Sequence, residues 1–139
     1  MSLCKSVFME SNITYWDYDK IDIISDAGVN SVSMGVQSFN KKISIDNNRL
    51  QDPEKIFEIF KRIKKKGRGI NLDFLIGLTS DKKILKNDIE SILILKPEQI
   101  HLNRLKPLNN DFTMNQKDEL KYTQKKIFEL LLRYGYKRI

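Results

Sequence analysis

Along this chain, stretches that alternate apolar and polar residues at period two are separated by stretches with apolar residues at helical spacing. The clearest alternation runs from Val29 to Gln37, with Val32, Met34 and Val36 on one side and Ser31, Ser33, Gly35 and Gln37 on the other. Cys4–Glu10 (with Val7, Phe8 and Met9), Ile70–Leu78 and Gln99–Leu105 also read as strands, and Tyr136–Ile139 as the start of a fifth. Between them, Thr14 is a candidate cap for a helix from Trp16 to Ala27, with Ile21, Ile24 and Ala27 on one face and Gly28 as its stop. A short helix fits Lys41–Ile45. Asp52-Pro53 is a capping carboxylate followed by Pro at the first helical position, and Ile56, Phe57, Phe60 and Ile63 then repeat at helical spacing up to Gly67. Thr79, Ser80 and Asp81 offer caps for a helix through Leu95, with Ile89, Ile92 and Leu93 inward. Asn115–Tyr134 is the longest helix, carrying Leu120, Ile127, Leu130, Leu131 and Tyr134.

About five strands alternate strictly with four good helices. That order predicts an α/β fold with right-handed crossovers and a parallel sheet, in a single domain over 1–139. The length of 139 residues suits one core. No apolar run reaches the roughly 20 residues of a membrane span, and the N-terminus is too short and polar for a secretory signal. The single cysteine, Cys4, cannot form an internal disulfide, which makes a cytoplasmic setting the expectation, and it cannot by itself build a multi-cysteine metal site.

The net charge of +7 introduces a nucleic-acid reading. Much of the excess, however, lies in Lys61-Arg62-Ile63-Lys64-Lys65-Lys66 at a helix end, where cations favour the macrodipole, and no aromatic residues interleave with it. A solvated basic face is the plainer expectation; a phosphate-binding surface is the other.

Parallel α/β folds bind ligands at the carboxyl ends of their strands. Glu10 closes the first strand, Gln37 closes the second, Arg49 follows in the next loop, and Asp73 lies inside the third, two positions after Asn71. A carboxylate in an apolar strand needs a partner. The four together suit a zwitterionic, hydroxyl-rich ligand, with Glu10 accepting from an ammonium, Arg49 forking onto a carboxylate, and Gln37 and Asp73 holding ribose hydroxyls. The competing reading makes Glu10 and Asp73 strand-end caps or partners of a lysine. His101, the only histidine, alternates with Ile100 and Leu102 and is expected in a structural or helix-facing role, with no partner for proton transfer. Tyr15, Trp16 and Tyr18 are expected to cover a rim or staple a helix start. Arg104 and Lys106 end the fourth strand, within reach of an acidic substrate. Asn109-Asn110-Asp111 reads as a loop.

The segment Ala27-Gly28-Val29-Asn30-Ser31-Val32-Ser33-Met34-Gly35-Val36-Gln37-Ser38-Phe39-Asn40 resembles the most characteristic stretch of the oxygen-independent coproporphyrinogen III oxidase family of radical S-adenosylmethionine enzymes, which includes related haem chaperones. Asn48-Arg49, Asn71-Leu72-Asp73-Phe74-Leu75-Ile76-Gly77-Leu78, Leu95-Lys96-Pro97-Glu98-Gln99-Ile100-His101-Leu102 and Leu131–Tyr136 are similar to later motifs of that family. The resemblance implies a part of a TIM-like (β/α) barrel with four to five β/α units. It implies S-adenosylmethionine contacts at Glu10 (amino group), Gln37 (ribose region), Arg49 (methionine carboxylate) and Asp73 (ribose hydroxyls). It also implies a [4Fe-4S] cluster held by a C-x-x-x-C-x-x-C loop, a 5′-deoxyadenosyl radical and a tetrapyrrole substrate.

The chain departs from the family pattern in lacking that cysteine loop, in lacking the Pro that usually follows Glu10, and in carrying Thr79-Ser80-Asp81 in place of Pro-Gly. It reads as starting at the third barrel strand, with Met1–Leu3 as an added, non-native start. The expectations are therefore a fragment that supplies adenosyl contacts but cannot cleave S-adenosylmethionine alone, and that pairs through its open sheet edge as a dimer. The alternatives are a non-catalytic α/β binding module or haem chaperone relative without the cluster, and a basic nucleic-acid-binding domain.

Overall fold

Parity organises the chain around four parallel strands. In the computed structural model, which describes residues 6–106 and 113–138, β1 (Phe8–Asn12), β2 (Ser31–Val36), β3 (Gly69–Ile76) and β4 (Gln99–Arg104) form one sheet in sequence order. The register aligns Glu10, Ser33, Asn71 and Gln99 in one row, and Asn12, Gly35, Asp73 and His101 in the next. Partners in register project from the same face. One face therefore carries Val32, Met34, Val36, Ile70, Leu72, Phe74 and Ile76, all buried, and the other carries the polar rows.

The helices are α1 (Tyr18–Asp26), α2 (Lys41–Asp46), α3 (Pro53–Lys65), α4 (Lys82–Leu95) and α5 (Met114–Arg133), with a 3₁₀ turn at Ile13–Tyr15. Ile21 of α1, Ile56, Ile59, Phe60 and Ile63 of α3, Ile89 and Ile92 of α4, and Ile127 and Leu131 of α5 join the apolar face in a single core. Asp52 caps α3 with Pro53 next to it, and Asp81 caps α4 by accepting from the Lys83 and Ile84 N–H groups. Gly28 (φ +82°) ends the turn after α1 in the left-handed region, as the sequence indicates.

Several expectations shift. β1 lies at Phe8–Asn12 rather than Cys4–Glu10. Apolar residues 7–9 draw the sequence reading early, but Phe8 is 67% exposed on the polar side and the ladder with β2 sets the bounds. Thr14 does not cap α1. Asn12 accepts from its N–H to start the 3₁₀ turn, and Asp17 caps the helix. Ala27 is exposed, and Ser25 takes the inward place, its hydroxyl bonded to the Ile21 carbonyl. Tyr134 is exposed as well. Of the three aromatics near α1 only Trp16 enters the core. Tyr18 stays half-exposed, with the Arg62 guanidinium 5.5 Å from its ring centre.

No fifth strand forms over residues 136–138; there the Tyr136 hydroxyl donates to the Pro97 carbonyl. The sheet has four strands among the described residues, and the expectations for Met1–Leu3, Cys4, Asn109-Asn110-Asp111 and Ile139 lie outside them.

The basic run on α3 is bound into the fold. Asp22 of α1 meets both Arg62 and Lys66, at 2.8 and 2.9 Å, and Lys64 reaches Glu98 and the Lys96 carbonyl. Hydrogen bonds from Lys66 and then Arg62 hold the Asp22 carboxyl below the usual carboxylate range.

Phe60 is 1% exposed at the centre of the core. Truncation to Ala is expected to lower the unfolding free energy by about 3–5 kcal/mol, read from urea denaturation followed by circular dichroism.

Candidate functional site

Among the described residues no core helix seals the polar sheet face, which carries Glu10 in the middle of β1 and Asp73 in the middle of β3, while Gln37 follows the carboxyl end of β2. Glu10 and Asp73 stand on adjacent rows, two strands apart. With strands about 4.8 Å apart and a rise of about 3.3 Å per residue, their Cα atoms are roughly 12 Å from each other. Gln37 follows β2 directly. A Cβ built on Gly35 would sit 3.0 Å from Gln37 Nε2, so the Gln37 side chain folds back over Gly35, beside Asp73 in the register. A side chain at position 35 would press on that amide and oblige it to shift by a few tenths of an ångström.

Asp73 is engaged from both sides. Its Oδ2 accepts from the Ser33 hydroxyl of β2 at 2.9 Å, and its Oδ1 lies 2.7 Å from His101 Nδ1 on β4. This corrects the reading of His101 as helix-facing and without a partner. Its alternation with Ile100 and Leu102 was correctly read, but the opposite side is the open polar face. Among the described residues no lysine pairs with Asp73.

Arg49 sits apart, exposed in the loop between α2 and α3. That loop is held to the same end of the sheet. Gln51, 6% exposed, accepts from the Gln37 N–H at 3.1 Å and donates to the Gly35 carbonyl at 2.8 Å, completing the backbone bonding of β2 as a neighbouring strand would. The Thr14 hydroxyl bonds the Leu50 carbonyl, and the Arg49 N–H bonds the Ser44 carbonyl.

A second anchor fixes the segment after Gln37. Asp88 of α4 is 3% exposed. It accepts from the Ser38 hydroxyl and the Phe39 N–H, both at 2.8 Å. Ser38 in turn accepts from the Asn40 N–H, and the Phe39 ring packs on Phe57 with centroids 5.8 Å apart. Ser38-Phe39 is thus clamped by a carboxylate about fifty positions away. Sequence reasoning missed Ser33, Gln51 and Asp88. Nothing local marks Gln51 or Asp88, whereas Ser33 was legible as an inward partner once Asp73 is placed opposite β2.

A cleft of about 1220 Å³ lies elsewhere, between β4 and the end of α5, with Ile100, Leu102, Phe128 and Leu131 among its walls and Lys96, Lys137 and Arg138 also lining it. Among the described residues no group of three or more His, Cys, Asp and Glu could hold a metal ion, and no helix is long and apolar enough to cross a membrane.

Residues 5–93 match the Radical SAM superfamily model. The heme chaperone HemW of Bacillus subtilis is 29% identical over 116 residues, covering 81% of this chain and 31% of its own length. The oxygen-independent coproporphyrinogen III oxidase of Pseudomonas aeruginosa is 30% identical over 88 residues, 60% of this chain and 19% of that protein. The solved structure of the coproporphyrinogen III oxidase HemN of Escherichia coli, titled a radical SAM enzyme, superposes with a TM-score of 0.81 at 23% identity, over 95% of this chain and 33% of that one. The chain spans a third or less of each of these proteins. The last match shows the fold: the sheet and its helices are part of a TIM-like barrel.

Burial pushes the Asp88 carboxyl above its ordinary 3.8, opposed in part by the Phe39 and Ser38 hydrogen bonds. A carboxyl raised on folding favours the native state most below its unfolded value, and that contribution is lost as pH rises through the folded value. The stability of the wild type relative to Asp88→Asn, which does not titrate, is therefore expected to fall as pH is raised from below 3.8, measured by denaturant melts across a pH series.

Proposed function

The chain belongs to the radical S-adenosylmethionine superfamily, and on that premise we propose that its open sheet face supplies the S-adenosylmethionine contacts of an oxidoreductase resembling oxygen-independent coproporphyrinogen III oxidase. The observation that carries the reading is that Glu10 and Asp73 share one polar face of a parallel sheet, with the Gln37 side chain folded over Gly35 beside Asp73 in the register. In this reading the Glu10 carboxylate accepts from the ligand ammonium. Gln37 and Asp73 hold the ribose hydroxyls, and Arg49, on the loop pinned by Gln51, pairs with the methionine carboxylate.

The donor set fits the ligand. It offers two carboxylates, one primary amide lying over a glycine, and a guanidinium at the rim, matching one ammonium, two vicinal hydroxyls and one carboxylate. When bound next to a reductant, S-adenosylmethionine supplies the hydrogen-abstracting group of this superfamily. The residues of this chain do not fit the [4Fe-4S] cluster. The sequence has one cysteine, and a cluster of this kind needs several thiolates, so no step is assigned to the cluster here. The substrate class that the relatives suggest is a tetrapyrrole, whose carboxylates would find Arg104 exposed at the end of β4.

A second reading, a binding module related to haem chaperones, is favoured by the similarity to HemW. Both readings keep the adenosyl site and differ in chemistry. In both, the outer edge of β1 has no strand partner among the described residues, which supports association of two copies of this chain through that edge.

Calorimetric titration of the 139-residue chain with S-adenosylmethionine is expected to show binding, weakened about tenfold or more by Asp73→Ala or Arg49→Ala. Unchanged affinity in both variants would defeat the reading. After iron and sulfide reconstitution and addition of a reductant, the chain alone is expected to yield no 5′-deoxyadenosine by chromatography. Sedimentation velocity is expected to show a dimer at high concentration; a stable monomer would exclude edge pairing.

A further inference from the structure

We infer that His101 is a positioning residue for the nucleoside half of the ligand, acting through Asp73; this rests on the reading of the open face as an adenosyl site. His101 stands opposite Asp73 in the β3–β4 register, with Nδ1 2.7 Å from Oδ1. An ionised carboxylate only accepts, so Nδ1 carries the hydrogen of this bond. Ser33, from the strand on the other side of β3, donates to Oδ2 at 2.9 Å. The carboxylate is therefore held by one donor from each flanking strand.

That arrangement has a consequence for recognition. The terminal torsion of an aspartate is broad, so a free Asp73 would present its oxygens over a range of angles. Two fixed donors, one on each oxygen, remove that freedom. Each oxygen keeps a second acceptor site, and the side chain is 27% exposed, so those sites remain open toward the face. A pair of vicinal ribose hydroxyls needs two acceptors at a set spacing and plane, which a locked carboxylate provides without reordering on binding.

The pair contributes little as a stabilising contact. The His101 side chain is 54% exposed, it packs in no part of the core, and exposed ion pairs of this type contribute modestly. Its effect is orientation at a ligand-facing group.

The test uses 5′-methylthioadenosine and its 2′,3′-dideoxy analogue as probes, titrated calorimetrically into the 139-residue chain and its variants. Wild type is expected to prefer the diol-bearing probe. His101→Ala is expected to weaken that probe about tenfold while leaving the dideoxy analogue unchanged. His101→Asn, whose side-chain N–H can occupy the place of the Nδ1 hydrogen, is expected to restore most of the loss. Thermal melts of the variants should match wild type, because the residue is exposed.

An equal loss on both probes, no loss on either, or an Asn variant as weak as the Ala variant would each overturn the inference. Binding by wild type with an unaffected His101→Ala removes the inference alone. Failure of wild type to bind either probe or S-adenosylmethionine removes the adenosyl reading and the inference with it.

Discussion

The separation of the two sheet faces is the constraint from which the rest of the structure follows. β2 and β3 carry Val32, Met34, Val36, Ile70, Leu72, Phe74 and Ile76 on the side that every core helix covers. Parallel sheets are usually covered on both sides and read as continuous apolar runs. Here the odd-numbered positions of β2 and β3 are serine, glycine, asparagine and aspartate, apart from Leu75, and among the described residues only one side is sealed by apolar packing. Sliding the register of β2 or β3 by one residue would bring Asp73 and Asn71 into the core, at a cost of several kcal/mol for unpaired buried polar groups. The pattern that makes the core thus also fixes which side chains can meet a ligand.

A ligand-facing residue needs a second layer of support, and here it comes from distant parts of the chain. Gln37 is at the end of a strand, where the ladder no longer constrains the backbone. Gln51 replaces the missing ladder bonds from one side, and Asp88 bonds the next two residues from the other. Burying Asp88 disfavours its charged form, so its retention inside an otherwise apolar helix face is set against the hydrogen bonds it satisfies in the turn. Glycine at position 35, serine at 38 and phenylalanine at 39 each have a separate physical reason: space for an amide, a hydroxyl for a carboxylate, and a ring for Phe57.

These dependencies explain what could be read from the sequence. The alternation in Val29–Gln37 located β2 and its facing residues, because the period is a local property. Helices capped by Asp52-Pro53 and Asp81 were legible for the same reason. The start of α1 was not, since Thr14 and Asp17 both suit a cap and the choice depends on a 3₁₀ turn set by Asn12. The side on which His101 lies was legible, but its partner, twenty-eight residues earlier, depends on strand register. Asp88 has no local mark in the sequence, and its role follows only from the β2–α2 turn that rests on it. Local order was accessible; long-range pairing of polar atoms required the topology.

The two borders of the sheet are not equivalent. On β4, Gln124 of α5 donates to the Leu102 carbonyl at 2.8 Å, so that border is partly occupied from within the same molecule. β1 has no counterpart to this side-chain plug among the described residues. Head-to-tail stacking of copies would need both borders to be free and would grow without limit into filaments, whereas joining like border to like stops at two. A single glutamine on a surface helix therefore occupies a backbone acceptor on the β4 border that a copy stacked head-to-tail would need.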